Sequence, residues 1–118
     1  MTINLFNSDP NAEKFSAGQT VFGEGERGDH MFAVVKGSVD LLINGKVVET
    51  VGPGGVFGEM ALVEDQQPRV ATALVKTDAE LVRIDRRRFL FLVQQTPYFS
   101  LQLMAIMATR LRQMNKRL

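Results

Sequence analysis

The chain has no cysteine, no tryptophan and one histidine, His30, in 118 residues. Without cysteine there is no disulfide framework of the secreted type and no thiol nucleophile. One histidine cannot build the cluster of histidines with a carboxylate that a catalytic metal site needs, and no Ser–His–Asp arrangement is recognisable. His30 itself reads as a surface residue at a strand start. No apolar run approaches the roughly 18 residues of a membrane span. The opening MTINLFNSDPNAEK has acids and a proline where a signal peptide would have an apolar core. Together these absences point to a soluble non-enzyme without a metal, in a reducing cytoplasm.

What remains is ordinary for a globular protein, 45% apolar and 23% charged residues. The length suits one domain, residues 1–118, since domains cluster near ~100–150 residues. The net charge of +1 conceals an asymmetry: residues 83–118 carry +7 and residues 1–82 carry −6. The basic end falls on expected helices, where a solvated face or a partner surface accounts for it, and no direct nucleic-acid binding is expected.

From Phe15 to Ile84 short β-rich runs alternate with turn residues. The runs are TVF (20–22), HMFAVV (30–35), SVDLLI (38–43), KVVETV (46–51), VATALV (70–75) and AELVRI (79–84), the last two joined by the polar KTD. Asn44-Gly45 between the third and fourth is a strong hairpin signal, because both residues tolerate positive φ. After Ile84 the period becomes helical. Asp85 is a plausible N-cap for RRRFLFLVQQ, and Thr96-Pro97 starts a second helix of about 20 residues. Along that helix Met104, Met107, Leu111, Met114 and Leu118 form one apolar stripe, and Phe99, Leu103 and Ile106 a second. Two stripes suggest two jobs, one covering the β-domain and one meeting a partner helix, although both packing on the chain's own barrel is equally compatible.

The stretch GGVFGEMALVEDQQPRVATA (54–73) joins a glycine-rich turn to a carboxylate and a guanidinium. Glycine removes the Cβ that would block close approach of a ligand, and successive N–H groups can form an anion-binding concavity. Arg69 has a planar fork of donors suited to phosphate oxygens, and Glu59 an acceptor suited to a sugar hydroxyl. A surface Arg–Glu salt bridge would be the plain alternative.

FGEMAL (57–62) followed by PRVATA (68–73) resembles the phosphate-binding cassette of the cyclic nucleotide-binding domain family, the sensor module of catabolite-activator-type regulators, protein kinase A regulatory subunits and cyclic-nucleotide-gated channels. FSAGQTVFGEGERGDHMFAVVKGSVDLL (15–42) is similar to the family's opening strands, with Gly25, Gly28, Asp29, Phe32, Val34 and Gly37 at the matching places. The resemblance spans residues 13–115. It implies a mainly β fold, a β-roll (a double-stranded, jelly-roll-like barrel, 13–84) followed by two α-helices (85–118), with the ligand, cAMP or cGMP, in the roll beneath the C-terminal helix.

By the same resemblance, Gly58 lets the backbone reach the ligand, Glu59 accepts from the ribose 2′-hydroxyl, the amides around Ala61 and Leu62 face the cyclic phosphate, and Arg69 pairs with its exocyclic oxygens, with Met60, Val70 and Ala71 also in the binding site. In some relatives an arginine of the C-terminal helix reaches the base; here Arg110 is the first candidate and Arg112 the second. The chain departs from the pattern at Val70, where relatives carry Ser or Thr, the latter often favouring guanine. One lost hydrogen bond to a charged group is worth about 1.5–3 kcal/mol, so weakened rather than abolished binding is expected. Thr72 is an uncertain substitute.

The implied function is a cyclic-nucleotide sensor that passes ligand occupancy through its C-terminal helix to an unidentified protein partner or output domain, with a homodimer through that helix as one form. The alternative is a degenerate β-roll serving as a ligand-independent interaction module. A metal enzyme of cupin type is disfavoured by the single histidine.

Overall fold

The apolar pattern changes between Met31–Val35, which is unbroken, and Ser38–Leu41, which alternates. The computed structural model, which describes residues 2–64 and 67–116, explains the change. Both segments belong to one 14-residue strand. The strands are β1 (Glu13–Phe15), β2 (Thr20–Phe22), β3 (His30–Ile43), β4 (Lys46–Val51), β5 (Val56–Phe57) and β6 (Thr72–Asp85). A one-turn helix α1 (Met60–Val63) lies between β5 and β6, and α2 (Arg86–Gln95) and α3 (Pro97–Lys116) follow.

β3 and β6 pair antiparallel along their length, from His30–Asp85 to Leu42–Thr72. The sheet path runs β1-β6-β3-β4, with β2 joined to β6 and β5 to β3, all antiparallel. This is the expected β-roll with C-terminal helices. In the half of β3 nearer the helices, alternate side chains enter different cores: Met31 and Ala33 join the cluster beneath α2 and α3, while Phe32 and Val34 fill the roll. Both faces are buried there, so the run is continuous. Beyond Gly37 one face meets solvent and alternation returns.

Two breaks expected from the sequence are absent. The runs 30–35 and 38–43 are one strand, as are the later two, and the first residues of VATALV lie outside β6. Gly37 and Lys76-Thr77-Asp78 sit opposite each other where both strands bend with shifted register, not at turns. Gly37 has φ +79°, and a Cβ there would lie 2.2 Å from the Asp78 carbonyl oxygen. The polar side chains have local partners: Thr77 Oγ1 is 3.0 Å from Ser38 Oγ, and Asp78 accepts from the Ala17 amide at 2.8 Å.

The local signals that were legible behave as expected. Asn44 and Gly45 both have positive φ and close the β3–β4 hairpin at Ile43–Lys46. Asp85 accepts from the Arg88 amide at 2.8 Å and caps α2, and α3 begins at Pro97. Phe99, Leu103 and Ile106 are buried in the core under the helices. The other stripe is divided: Met107 packs partly on that core, Met104, Leu111 and Met114 are exposed, and Leu118 lies outside the described residues.

The segment before β1 contributes more than its sequence suggested. Ile3 and Phe6 are buried, Phe6 meets Phe99 edge-on at 6.3 Å, and Asp9 accepts from Arg88 at 2.6 Å. Burying a side chain of this size stabilises by roughly 1.5–3 kcal/mol. The N-terminal segment thereby becomes part of the wall that fixes α3 over the roll.

Candidate functional site

A cavity of about 510 Å³ opens between the roll and α3. Gly58, Glu59, Met60, Ala61, Arg69, Val70, Ala71 and Arg110 all line it, so the fold brings together eight of the nine first-choice site residues, the second candidates Arg112 and Thr72 apart. Leu62 is the exception: its side chain is in the core beneath the helices and its carbonyl accepts from Arg86 at 3.0 Å. The amides of Ala61 and Leu62 close the α1 turn on the carbonyls of Gly58 (3.3 Å) and Glu59 (2.9 Å).

Arg69 is 8% exposed. Its Nη1 donates to the Gly58 carbonyl (3.1 Å) and its Nη2 to the His30 carbonyl (2.8 Å), while its guanidinium lies 4.0 Å over the Phe22 ring. Nε is buried with no hydrogen-bond partner, and no carboxylate among the described residues forms an ion pair with the group. Burial therefore lowers the Arg69 pKa, and Asp29, Glu26 and Glu59 offset that only in part. The surface salt bridge considered from the sequence is not formed.

Two glycines make room for this side chain. A Cβ on Gly58, at φ +78°, would lie 2.8 Å from Arg69 Nη1, and one on Gly28 would lie 2.1 Å from Nε. The loop that contains Gly28 also grips the Arg69 backbone: Arg69 N donates to the Glu26 carbonyl at 2.7 Å and the Gly25 amide to the Arg69 carbonyl at 2.8 Å. Strand β3, through its first residue, and the loop before it thus hold Arg69 in place. His30 stands at the strand start as expected, beside Asp29 at 2.5 Å.

On the opposite wall, Arg110 reaches across from α3. It donates through Nε to Glu49 Oε1 (2.8 Å), through Nη1 to Glu59 Oε1 (2.9 Å) and through Nη2 to the Val56 carbonyl. Burial opposes its charge, but Glu59 and Glu49 outweigh burial and its pKa is raised. Arg112 is exposed, does not line the cavity, and donates to Thr109. Val70 is 55% exposed at the cavity edge. Thr72 is not among the lining residues, and its hydroxyl accepts from the Glu24 amide at 3.0 Å.

Several lining residues escaped the sequence reading, notably Phe22, Glu49, Gln113, and the Met107, Leu111 and Met114 of the expected partner stripe. The volume falls within the ~300–1,000 Å³ of small-molecule sites. Chemically, the cavity combines apolar walls, a buried cation without a counter-ion, and a buried carboxylate with one oxygen, Glu59 Oε2, that makes no hydrogen bond among the described residues. Such a cavity suits an anion that carries a hydroxyl and an apolar face. Among the described residues no group of His, Asp or Glu is placed to hold a metal, and no helix is long and apolar enough to cross a membrane.

Comparison with known proteins identifies the family. The family model for the cyclic nucleotide-binding domain matches residues 12–96. The Pycsar effector protein XpPycTIR of Xanthomonas perforans is 33% identical over 99 residues, 84% of this chain and 33% of the relative. The cAMP-dependent protein kinase regulatory subunit of Eremothecium gossypii is 42% identical over 74 residues, 63% of this chain and 16% of the relative. The catabolite activator protein of Thermus thermophilus has a solved structure that superposes with a TM-score of 0.76 at 30% identity, over 91% of this chain and 53% of that one.

Proposed function

The chain belongs to the cyclic nucleotide-binding domain family, and from that premise we propose that it is a sensor whose cavity takes cAMP or cGMP. The observation that carries the reading is the Arg69 guanidinium, buried, hydrogen-bonded to two neutral carbonyls and stacked on an aromatic face, with Nε unpartnered and no ion pair among the described residues. A cation in that condition is stabilised by an incoming anion, and the guanidinium fork matches two phosphate oxygens. Gly58 permits the approach, Glu59 accepts from the ribose hydroxyl, and the segments Met60–Ala61 and Val70–Ala71 border the phosphate.

The ligand is coupled to α3 through Glu59. That carboxylate holds Arg110; a bound ribose takes hydrogen-bonding capacity from the same group, so occupancy alters the hold on α3. The equilibrium between helix positions then shifts by the difference in affinity for the two positions. The signal passes to an output domain or a partner chain, including a second copy through exposed Leu101 and Met104 of α3. This chain spans a third or less of the curated relatives it matches.

Isothermal titration of the chain with cAMP and cGMP, with thermal melts on the same samples, tests the reading. Saturable heat and a rising Tm are expected for at least one nucleotide. No heat and no shift at millimolar nucleotide overturns it and favours a ligand-independent interaction module.

A further inference from the structure

We infer that Glu49 reads the base, and that it makes the site prefer cGMP to cAMP. The inference rests on the binding reading above and concerns the part of the cavity which that reading leaves unassigned. With the phosphate at Arg69 and the ribose at Glu59, the base occupies the remaining space, between Leu41 and Val48 of the roll and Met107 and Leu111 of α3. Those side chains meet the faces of a purine and do not discriminate its edges. Val70 has no hydroxyl, so the cassette adds no base-selective hydrogen bond of its own.

Of the polar side chains that line the cavity among the described residues, Gln67 adjoins the Pro68-Arg69 end and Glu59 and Arg69 are assigned above, which leaves Glu49, Arg110 and Gln113 for the base. Each nitrogen of Arg110 already donates, to Glu49, Glu59 and the Val56 carbonyl. The Gln113 carboxamide is both donor and acceptor and rotates to suit either base. Glu49 differs from both. Its Oε1 holds Arg110 Nε at 2.8 Å, its Oε2 makes no hydrogen bond among the described residues, and its side chain is 35% exposed. Arg110 therefore fixes a carboxylate at the cavity wall with acceptor capacity to spare.

A carboxylate can only accept. Guanine presents N1–H and its 2-amino group side by side, two donors matched to two acceptor oxygens. Adenine presents an amino donor beside the N1 lone pair, and that lone pair faces the carboxylate without a proton between them. A site built to accept from a ligand donor rejects an analogue that lacks it, and one hydrogen bond to a charged group corresponds to about ten-fold or more in affinity.

Titration of the 118-residue chain with cGMP, cyclic IMP and cAMP tests this, because cyclic IMP keeps N1–H and lacks the 2-amino group. The expected order of affinity is cGMP, cyclic IMP, cAMP, with cGMP about ten-fold or more tighter than cAMP. Glu49→Gln keeps the shape and can still accept from Arg110, but it replaces the acceptor pair by an acceptor beside a donor, which matches adenine. In that variant the cGMP-to-cAMP ratio is expected to fall by about ten-fold or to invert, a change that loss of packing alone does not produce. Equal affinity, or tighter cAMP, in the unaltered chain overturns the inference while leaving the binding reading intact. An unchanged ratio in a folded Glu49→Gln also overturns it, and the order of the three nucleotides needs no variant. If no nucleotide binds, the binding reading falls and the inference with it.

Discussion

A buried arginine and a part-buried one face one cavity from opposite walls, and the protein treats their charges differently. Arg69, on the roll, is surrounded by carbonyls and a phenyl ring, and burial lowers its pKa. Arg110, on α3, is bracketed by Glu49 and Glu59, and its pKa is raised. The contrast separates two uses of the same side chain. A part-buried cation with two carboxylates is already satisfied and acts as a fastener between helix and roll. One without a carboxylate costs free energy to keep charged, and that cost is relieved by a negatively charged ligand.

The largest expected effect breaks the comparison on the roll side. Arg69→Ala is expected to weaken nucleotide binding by about 2–5 kcal/mol, because a desolvated phosphate loses its charged partner. The ligand-free stability should change far less, since the variant also removes an uncompensated buried charge. Titration reads the first effect and denaturant melts the second. Unchanged affinity would show that the phosphate is held elsewhere.

Arg110→Ala should show the reverse emphasis. It leaves Glu59, whose side chain is 7% exposed, without its counter-charge, and frees α3 from the roll. A fully buried pair costs 3–5 kcal/mol to break, and partial exposure of Glu49 reduces this to about 2–3 kcal/mol of ligand-free stability. A denaturant melt without ligand measures it. If the melt is unchanged, Arg110 is not the fastener and the link from Glu59 to α3 is lost.

The sequence made one of these arginines clearer than the other. Arg69 was assigned by its place after the glycine-rich turn, and the Asn44-Gly45 hairpin, the Asp85 cap and Pro97 follow local rules of backbone chemistry. Arg110 was placed at the site, but its carboxylate partners depend on where β4 lies. Regular pairing from the hairpin would set Leu41 opposite Val48; instead a register shift sets Leu41 opposite Glu49. A one-residue shift of this kind changes which side chain faces inward, and nothing in KVVETV announces it. The continuity of β3 and β6 was hidden for a related reason: Gly37 and Lys76–Asp78 look like turns singly, and only their mutual pairing makes them bends. Ile3 and Phe6 have no periodicity to reveal them, because their burial depends on α2 and α3 arriving some 80 or more residues later.

The smallest expected effect sharpens the roll side further. Val70 follows Arg69, lies outside β6 and is 55% exposed at the cavity edge. Thr72 does not supply the missing hydroxyl, because it does not line the cavity and its Oγ1 faces the Glu24 amide. Val70→Thr keeps the side-chain shape and adds a donor next to the proposed phosphate position. In a buried site that donor would contribute about 1.5–3 kcal/mol; at a solvent-exposed edge water competes, and a gain of about 1 kcal/mol, some five-fold in affinity, is expected. Titration of Val70→Thr beside Arg69→Ala measures both sides of the phosphate. A gain for both cGMP and cAMP places the phosphate between residues 69 and 70, whereas an unchanged affinity means that Arg69 holds it from one side and that Val70 costs the protein nothing.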